Sequence, residues 1–495
     1  MSIDPRTPCI IGIHRHTWHA AEAPEGAPEP LLMWEQVARA AAEDAGAPDA
    51  LSQLDGIDVV FSQSWQYDDP TARLAERLGA TPKHQHYSGI GGSVPQVAAA
   101  TVAGTIAAGE MDLALIVGAE ALATVRRLKK AGEKPQWSFK PAERRPFPMD
   151  MDFLPSEISH SVFEAFLTFA LFDNARRAHL GRSLDEHRLR DGQVLSALTE
   201  VAAASPHAWF PTERSAAEIS TASAQNRMVA YPYTKLMTSI MDVDMAAGLL
   251  LASTAKADAL GVPADQRVYL KGFAYAEDPV HVAGHGDLWR SPAMAAAAQG
   301  ALSQAGIEVG DVAHLDLYSC FASSVCFALD ALGVPEDDAR PFTQTGGLPY
   351  HGGPGSNYMT HSIAAMVETL RRDPGSFGLT TGVGMHMQKH AYGVWSTNPD
   401  GASVPPSGTL PTDGATTPVT DVANGPATVA TYAVMHGRDG GPESALLVCD
   451  LPDGSRCYAK LDEANDAFAL AESQELIGQP VSLASADGIN LARLN

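Results

Sequence analysis

A chain of 495 residues that is 45% hydrophobic and 19% charged can bury a sizeable core, and its length predicts about three domains. Its formal net charge of −24 repels phosphate backbones, which excludes nucleic acid as an expected partner. The longest apolar run, MAAGLLLA at 245–252, is too short for a membrane span and the opening MSIDPRTPCIIGI is no signal-peptide pattern, so a cytoplasmic protein is expected.

In chain order, CIIGI (9–13) reads as a short buried strand and MWEQVARAAAEDAG (33–46) as a helix closed by Gly46. IDVVF (57–61) is a second strand, TARLAERLG (71–79) a helix and DLALIV (112–117) a third strand. Strands alternating with helices predict a sheet covered on both faces. Ahead of the third strand, HYSGIGGSVPQ (86–96) opens an alanine-rich helix and so aims a helix N-terminus at a pocket. The pattern recurs: residues 42–61 lie over 302–321 without a gap, each a helix ending Ala-Gly, a turn, an aspartate-bearing loop and a strand closing on Phe.

Between these halves, 121–234 carries basic and aromatic residues and helical stretches with few strand signals, and reads as a helical insertion. STNPDGASVPPSGTLPTDGATTP (396–418) is a linker by composition. Beyond it, ATVATYAVM, SALLVCDL, SRCYAKL, VSLAS and INLARL read as five strands, with EANDAFALAES as a helix between the third and fourth. That order predicts a small closed barrel of the oligonucleotide/oligosaccharide-binding type. The five cysteines have neither metal-ligand spacing nor a disulfide framework, so no metal is expected. Cys449 and Cys457 flank the turn LPDGS and are expected near each other and reduced.

Over about residues 8–395 the chain resembles the thiolase superfamily, in particular the branch of thiolases linked to a sterol carrier domain and their thiolase-like relatives. The resemblance rests on GGSVPQVAAATVAGTIAAGEMDLALIVGAEAL, YPYTKLMTSIMDVDMAAGLLLAS, DLYSCF, GGLPYHGGPGSN and GLTTGVGMHMQKHAYGVWS taken together. It implies an α/β thiolase fold of two similar halves in five layers (αβαβα). The halves would be 1–120 with 235–262 and 263–395, the loop domain 121–234, the linker 396–418 and the barrel 419–495. It also implies CoA or an acyl-CoA as ligand and an acetyl-CoA acyltransferase activity in lipid metabolism.

The resemblance further implies a nucleophilic cysteine at the helix N-terminus, a second cysteine in Cys-x-Gly and a histidine in Gly-His-Pro. Here those positions fall on Gly92, Gly382 and Gly353. The family's His-Asp-Cys-Phe becomes Tyr318-Ser319-Cys320-Phe321. Without a thiolate no acyl-enzyme forms by the family route, so thiolysis is expected to be lost.

Among the residues that remain, Ser93 is the expected helix N-cap, with a replacement nucleophile as the alternative. Cys320 is a small buried side chain or a pocket thiol. Tyr318 either fills the core or serves as acid or base, and His351, His386 and His390 lie in loops that should close the same pocket. Asn357 is a candidate oxyanion donor. Arg126, Arg127, Lys129, Lys130, Lys134, Lys140, Arg144 and Arg145 put eight of the 34 basic residues within 20 positions, a candidate phosphate site. Trp137 or Phe139 would stack adenine there, and Ser239 joins the cofactor-binding set.

Three readings follow: an acyl-CoA or CoA binder that has lost thiolase chemistry, a carbon–carbon lyase of the retro-aldol type using Tyr318 and a loop histidine, or a non-catalytic lipid or acyl-CoA carrier. Either a monomer or a homodimer is compatible. The stretch KHQHYSGIGG, where thiolases pair their subunits, is polar in a way that favours a monomer.

Overall fold

The computed structural model describes residues 3–23, 25–144, 146–148, 153–402, 408–463 and 466–494. The first half runs β1 (Pro8–Thr17), α1 (Pro30–Asp44), β2 (Gly56–Val59), α2 (Pro70–Leu78), β3 (His84–Tyr87), α3 (Val94–Ala107) and β4 (Leu113–Ala121). The insertion holds α4 (Leu122–Lys130), α5 (Pro155–Ser159), α6 (Ala165–His179), α7 (Leu184–Ala204), α8 (Ala216–Ser220), β5 (Met228–Tyr231) and β6 (Tyr233–Thr234). Then come β7 (Asp244–Ser253), α9 (Thr254–Ala259), β8 (Val268–Glu277), α10 (Pro292–Ala305), β9 (Val312–Asp316), α11 (Ala322–Leu332), α12 (Tyr358–Arg372), β10 (Phe377–Gly384) and β11 (Lys389–Ser396).

Strands β4 and β7, LALIVGAEA and DMAAGLLLAS, are buried along their whole length, as near-continuous apolar runs require of central strands. They lie inside a nine-stranded sheet of order β3-β2-β4-β7-β1-β8-β11-β10-β9. The order contains a repeat. In the first half β2 runs parallel to β4, which meets β7 antiparallel. In the second, β9 runs parallel to β10, which meets β11 antiparallel. The halves join where Cys9 and Ile10 of β1 pair with Tyr269 and Val268 of β8. The sequence overlay of 42–61 on 302–321 brings equivalent helix ends together, although it leaves β2 and β9 out of step. Helices α3 and α12 pack on each other and on strands of both halves as the middle layer, with α1 and α10 outside. The fold is the five-layered thiolase arrangement.

The barrel consists of β12 (Gly425–His436), β13 (Pro442–Asp450), β14 (Arg456–Leu461), α13 (Ala467–Ser473), β15 (Pro480–Ala486) and β16 (Ile489–Leu494). Its order β13-β14-β16-β15-β12 closes through β12–β13, with β14 and β16 parallel. The turn between β13 and β14 follows its residues: Gly454 takes the left-handed region and Asp453 accepts from the Ser455 N–H at 3.0 Å. Cys449 and Cys457 face each other across this hairpin as buried free thiols.

The insertion contains strand structure that its sequence did not signal. β5 pairs with the far end of β12 through Tyr231↔Val434 and Ala230↔Met435, so the edge of the barrel sheet belongs to the insertion. Polar contacts complete the seat. Asn174 on α6 donates to the Tyr432 carbonyl at 2.9 Å, and Tyr458 Oη donates to Glu157 at 2.8 Å. The Asn490 N–H donates to His160 Nε2 at 2.9 Å.

Asn490 is fully buried, and its amide accepts from the Ala423 N–H and donates to the Asp421 and Tyr458 carbonyls. Replacing Asn490 with Ala orphans these groups and is expected to cost about 2–4 kcal/mol in urea unfolding. A loss below about 1 kcal/mol would show that the barrel edge is held by other means.

Candidate functional site

Helix α3 begins directly after the glycine pair. Ser93 precedes it with helical backbone angles (φ −80, ψ −13) and, among the described residues, makes no capping hydrogen bond, so the expected N-cap role is corrected. The reason is packing. Ser93 is buried beneath β10, and a Cβ on Gly382 would lie only 2.8 Å from Ser93 Cα. The first turn is tied down instead by Ser356, whose Oγ accepts from the Gly91 N–H at 3.1 Å.

Each family position now held by glycine is filled by a neighbour. A Cβ on Gly92 would overlap Tyr318 Oη and Cζ and the Val383 carbonyl oxygen. One on Gly382 would press on Ser93, and one on Gly353 would overlap Ser239 Oγ. The glycines therefore leave no room for a missing side chain; the space beside Gly92 is where the Tyr318 phenol sits.

Tyr318 follows β9 and is fixed by its N–H, which donates to Thr381 Oγ1 at 2.9 Å, and by an edge-on contact with Tyr358 at 5.5 Å. Burial pushes its phenol well above the ordinary range, so the group is a proton donor rather than a phenolate. Cys320 is buried with its Sγ 3.6 Å from Ser324 Oγ, and burial pushes the thiol up to about 12. A thiol so raised is no nucleophile at neutral pH.

His351 joins this group through the other side of Tyr358, ring to ring at 6.0 Å, with its Nε2 3.4 Å from His361 Nδ1. Burial, followed by the Arg15 charge, holds it well below the usual histidine range and therefore neutral. Asn357 precedes Tyr358; it is buried, and neither amide atom finds a partner among the described residues. Its Oδ1 stands where a Cβ on Gly118 would be. Tyr318 and His351 thus each meet the Tyr358 ring, while the Asn357 side chain is turned to Gly118.

His386 is drawn elsewhere. Its Nδ1 is 2.8 Å from Thr168 Oγ1 on α6 and its ring meets Phe153 edge-on, while burial lowers it to about 4. His390 is buried, with Nε2 held between the Asp278 carboxylate and the Met387 carbonyl. Both serve the seam with neighbouring elements.

The basic cluster divides as well. Arg126 is ion-paired with Asp242, and Arg127 donates to the Glu25 carbonyl. Lys129 and Lys130 are exposed at the end of α4. Trp137, half-buried, makes a T-shaped contact with Trp65 at 5.6 Å. Arg145 lies outside the described residues. Lys140 and Arg144, in contrast, line a cleft of about 480 Å³ with Gln63, Ser64, Trp65 and Gln66. A second cleft, of about 650 Å³, opens at the start of α3 between Ser88, Ile90, Ser93, Val94 and Tyr275.

Glu120, at the end of β4, was overlooked in the sequence. It is fully buried and accepts from the Gln63 N–H at 2.7 Å, the Ser64 N–H at 3.0 Å and the hydroxyls of Ser62 and Ser64. Burial raises it to about 7. It staples the 62–66 loop that walls the smaller cleft, and a Cβ on Gly355 would crowd its Oε1 at 2.7 Å. A lone carboxylate inside the apolar run LALIVGAEAL was the signal.

Two predictions follow from this geometry. Gly92→Cys, which would reinstate the family's nucleophile type, is expected to lower stability by about 2–3 kcal/mol because Val383 presents backbone that cannot swing away. A variant as stable as the parent would refute the overlap. His386 is neutral when folded and free to protonate at about 6.5 when unfolded, so its stabilising contribution is complete above pH 6.5 and is lost as pH falls toward 4. Between pH 7 and 5, His386→Gln should close its stability gap to the parent by about 2 kcal/mol, and a constant gap would contradict the assignment.

The chain is similar to known proteins in three ways. The family described as "Thiolase-like protein type 1 additional C-terminal domain" matches residues 410–488. A 3-ketoacyl-CoA thiolase from Yersinia pestis (strain Pestoides F) is 32% identical over 152 residues, 28% of this chain and 33% of the relative. The chain thus spans about a third of the length of the curated relatives it matches. Among solved structures, the Ltp2-ChsH2(DUF35) aldolase shares the fold at 18% identity, with TM-score 0.58 over 79% of this chain and 98% of that one. A monomeric SCP2-thiolase like protein type 1 from Mycobacterium smegmatis superposes with TM-score 0.84 at 32% identity, covering 100% of both chains. The chain belongs to the family of SCP2-thiolase-like proteins of type 1.

Proposed function

We propose that this protein binds CoA or an acyl-CoA and does not carry out thiolysis. The observation that carries the reading is the Tyr318 phenol lodged against Gly92, where the family's thiolate would stand. With that volume filled and Cys320 held protonated, no sulfur nucleophile meets a thioester at the start of α3. The cleft of Lys140 and Arg144 suits the phosphates of CoA, and Trp65 offers an aromatic wall nearby. Within a chain of net charge −24, basic residues gathered at one cleft are a favourable place for an anionic ligand.

The same reading takes the protein as a cytoplasmic monomer. No helix among the described residues is long and apolar enough to cross a membrane. Edge strand β3 presents His84, Gln85 and His86, with His86 bonded to Asp58 at 2.7 Å, in place of an apolar seam.

A second reading, retro-aldol cleavage of a 3-hydroxyacyl-CoA, is favoured by Tyr318 as a neutral acid, by neutral His351 in contact with the same Tyr358 ring, and by a fold neighbour that is an aldolase. A base would take the 3-hydroxyl proton, the Cα–Cβ bond would break to release a carbonyl product, and the phenol would protonate the resulting enolate carbon. If neither chemistry occurs, binding alone leaves a carrier role.

Calorimetric titration with CoA should give saturable binding that weakens about tenfold or more in Lys140→Glu/Arg144→Glu and less than twofold in Arg126→Ala/Arg127→Ala. Acetoacetyl-CoA with CoA should show no thiolysis. Absence of CoA binding, or sustained thiolysis, would overturn the proposal. Cleavage of a branched 3-hydroxyacyl-CoA that disappears in Tyr318→Phe would establish the second reading.

A further inference from the structure

Helices α6 and α7 enclose a cluster that the thiolase-like site does not use. His187 and Asp191 stand one turn apart on one face of α7, and α6 brings Asp173 against them. All three are 0–1% exposed. His187 Nε2 lies 2.9 Å from Asp173 Oδ1 and 3.7 Å from Asp191 Oδ2, and one donor atom from each residue falls within 4.8 Å of the others. Ligands about 2.1 Å from a common ion stand roughly 3.0–3.5 Å apart, so the two His187 separations are close to the edges of a coordination polyhedron.

An independent observation points to an occupant. Asp173 Oδ2 and both Asp191 carboxylate oxygens are buried and find no hydrogen-bond partner among the described residues. Two adjacent carboxylates in such a place are severely destabilising unless a cation or a proton lies between them. Arg176, whose charge acts on Asp191, makes no hydrogen bond to either aspartate: its Nε and Nη2 donate to Asp330, Nη2 also reaches Glu336, and Nη1 is buried without a partner among the described residues.

We propose that Asp173, His187 and Asp191 bind one divalent transition-metal ion, best matched by Zn²⁺, as a structural centre of the insertion. The imidazole and the small ligand number disfavour Ca²⁺ and Mg²⁺, which take mostly oxygen ligands and more of them. A second oxygen of either aspartate can complete the set. The ion joins α6 to α7 beside the point where Asn174, the residue after Asp173, holds the barrel through the Tyr432 carbonyl. The cluster is invisible as a sequence motif because Asp173 and His187 come from different helices.

The test uses the full chain purified without chelators. Elemental analysis is expected to find about one Zn²⁺ per chain after growth or incubation with ZnSO₄ and desalting. Chelator stripping under mild denaturant should lower Tm by several degrees, and Zn²⁺ alone should restore it. Asp191→Asn and His187→Gln should each retain less than a tenth of the metal. Should they fail to fold, Co²⁺ added to the stripped parent must give the visible absorption of nitrogen–oxygen coordination. Failure of the parent to retain Zn²⁺ or Mn²⁺, a Tm unmoved by stripping and re-addition, or full metal in the variants would overturn the site and leave a shared proton between the aspartates.

Discussion

The contact between the Tyr318 phenol and Gly92 sets the character of this molecule. A helix N-terminus in a thiolase fold can lower the pKa of a thiolate because the cysteine stands at its first turn with backbone N–H groups around it. Here the turn approaches β10 so closely that Ser93 lies under Gly382 and the Val383 carbonyl borders Gly92. The tyrosine ring then closes the remaining space. Reversal by a single substitution is blocked, since one of the obstructing groups is backbone.

The same density explains the electrostatics. Tyr318, Tyr358, His351 and His361 lie in a core with little access to water, and burial drives every one of them toward its neutral form. The aromatic and imidazole groups of this core are thereby held neutral, and the buried Arg15 beside them is paired with Glu368. Charged groups outside this core are held by partners or line a cleft: Arg176 and Arg177 are buried but paired with Asp330, Glu336 and Glu475, and Lys140 and Arg144 line the smaller cleft. The cleft of Lys140 and Arg144 and the cleft at the start of α3 are separate features with different linings.

Much of this was legible in the chain itself. The alternation from CIIGI to DLALIV, the five barrel strands with their helix, and the three glycines at family positions all lie in local pattern or in residue identity. What could not be read was how neighbours respond. Ser93 looks like an N-cap in a string, yet its backbone is helical and its side chain is pressed under β10. Gly92 alone reads as a vacancy, and only the path of 318 across it shows the filling. β5 and β6 escaped notice because short strands that extend another domain's sheet carry no period of their own. Arg126, Arg127 and Trp137 looked available because sequence does not display Asp242, Glu25 or Trp65 as partners.

Intact-mass spectrometry of the protein after incubation with an acyl-CoA tests the central claim most directly. The denatured chain should carry no added acyl mass, while native spectra of the same sample show CoA or its thioester bound noncovalently. An acyl adduct on Ser93, Cys320 or any other residue near the start of α3 would contradict it.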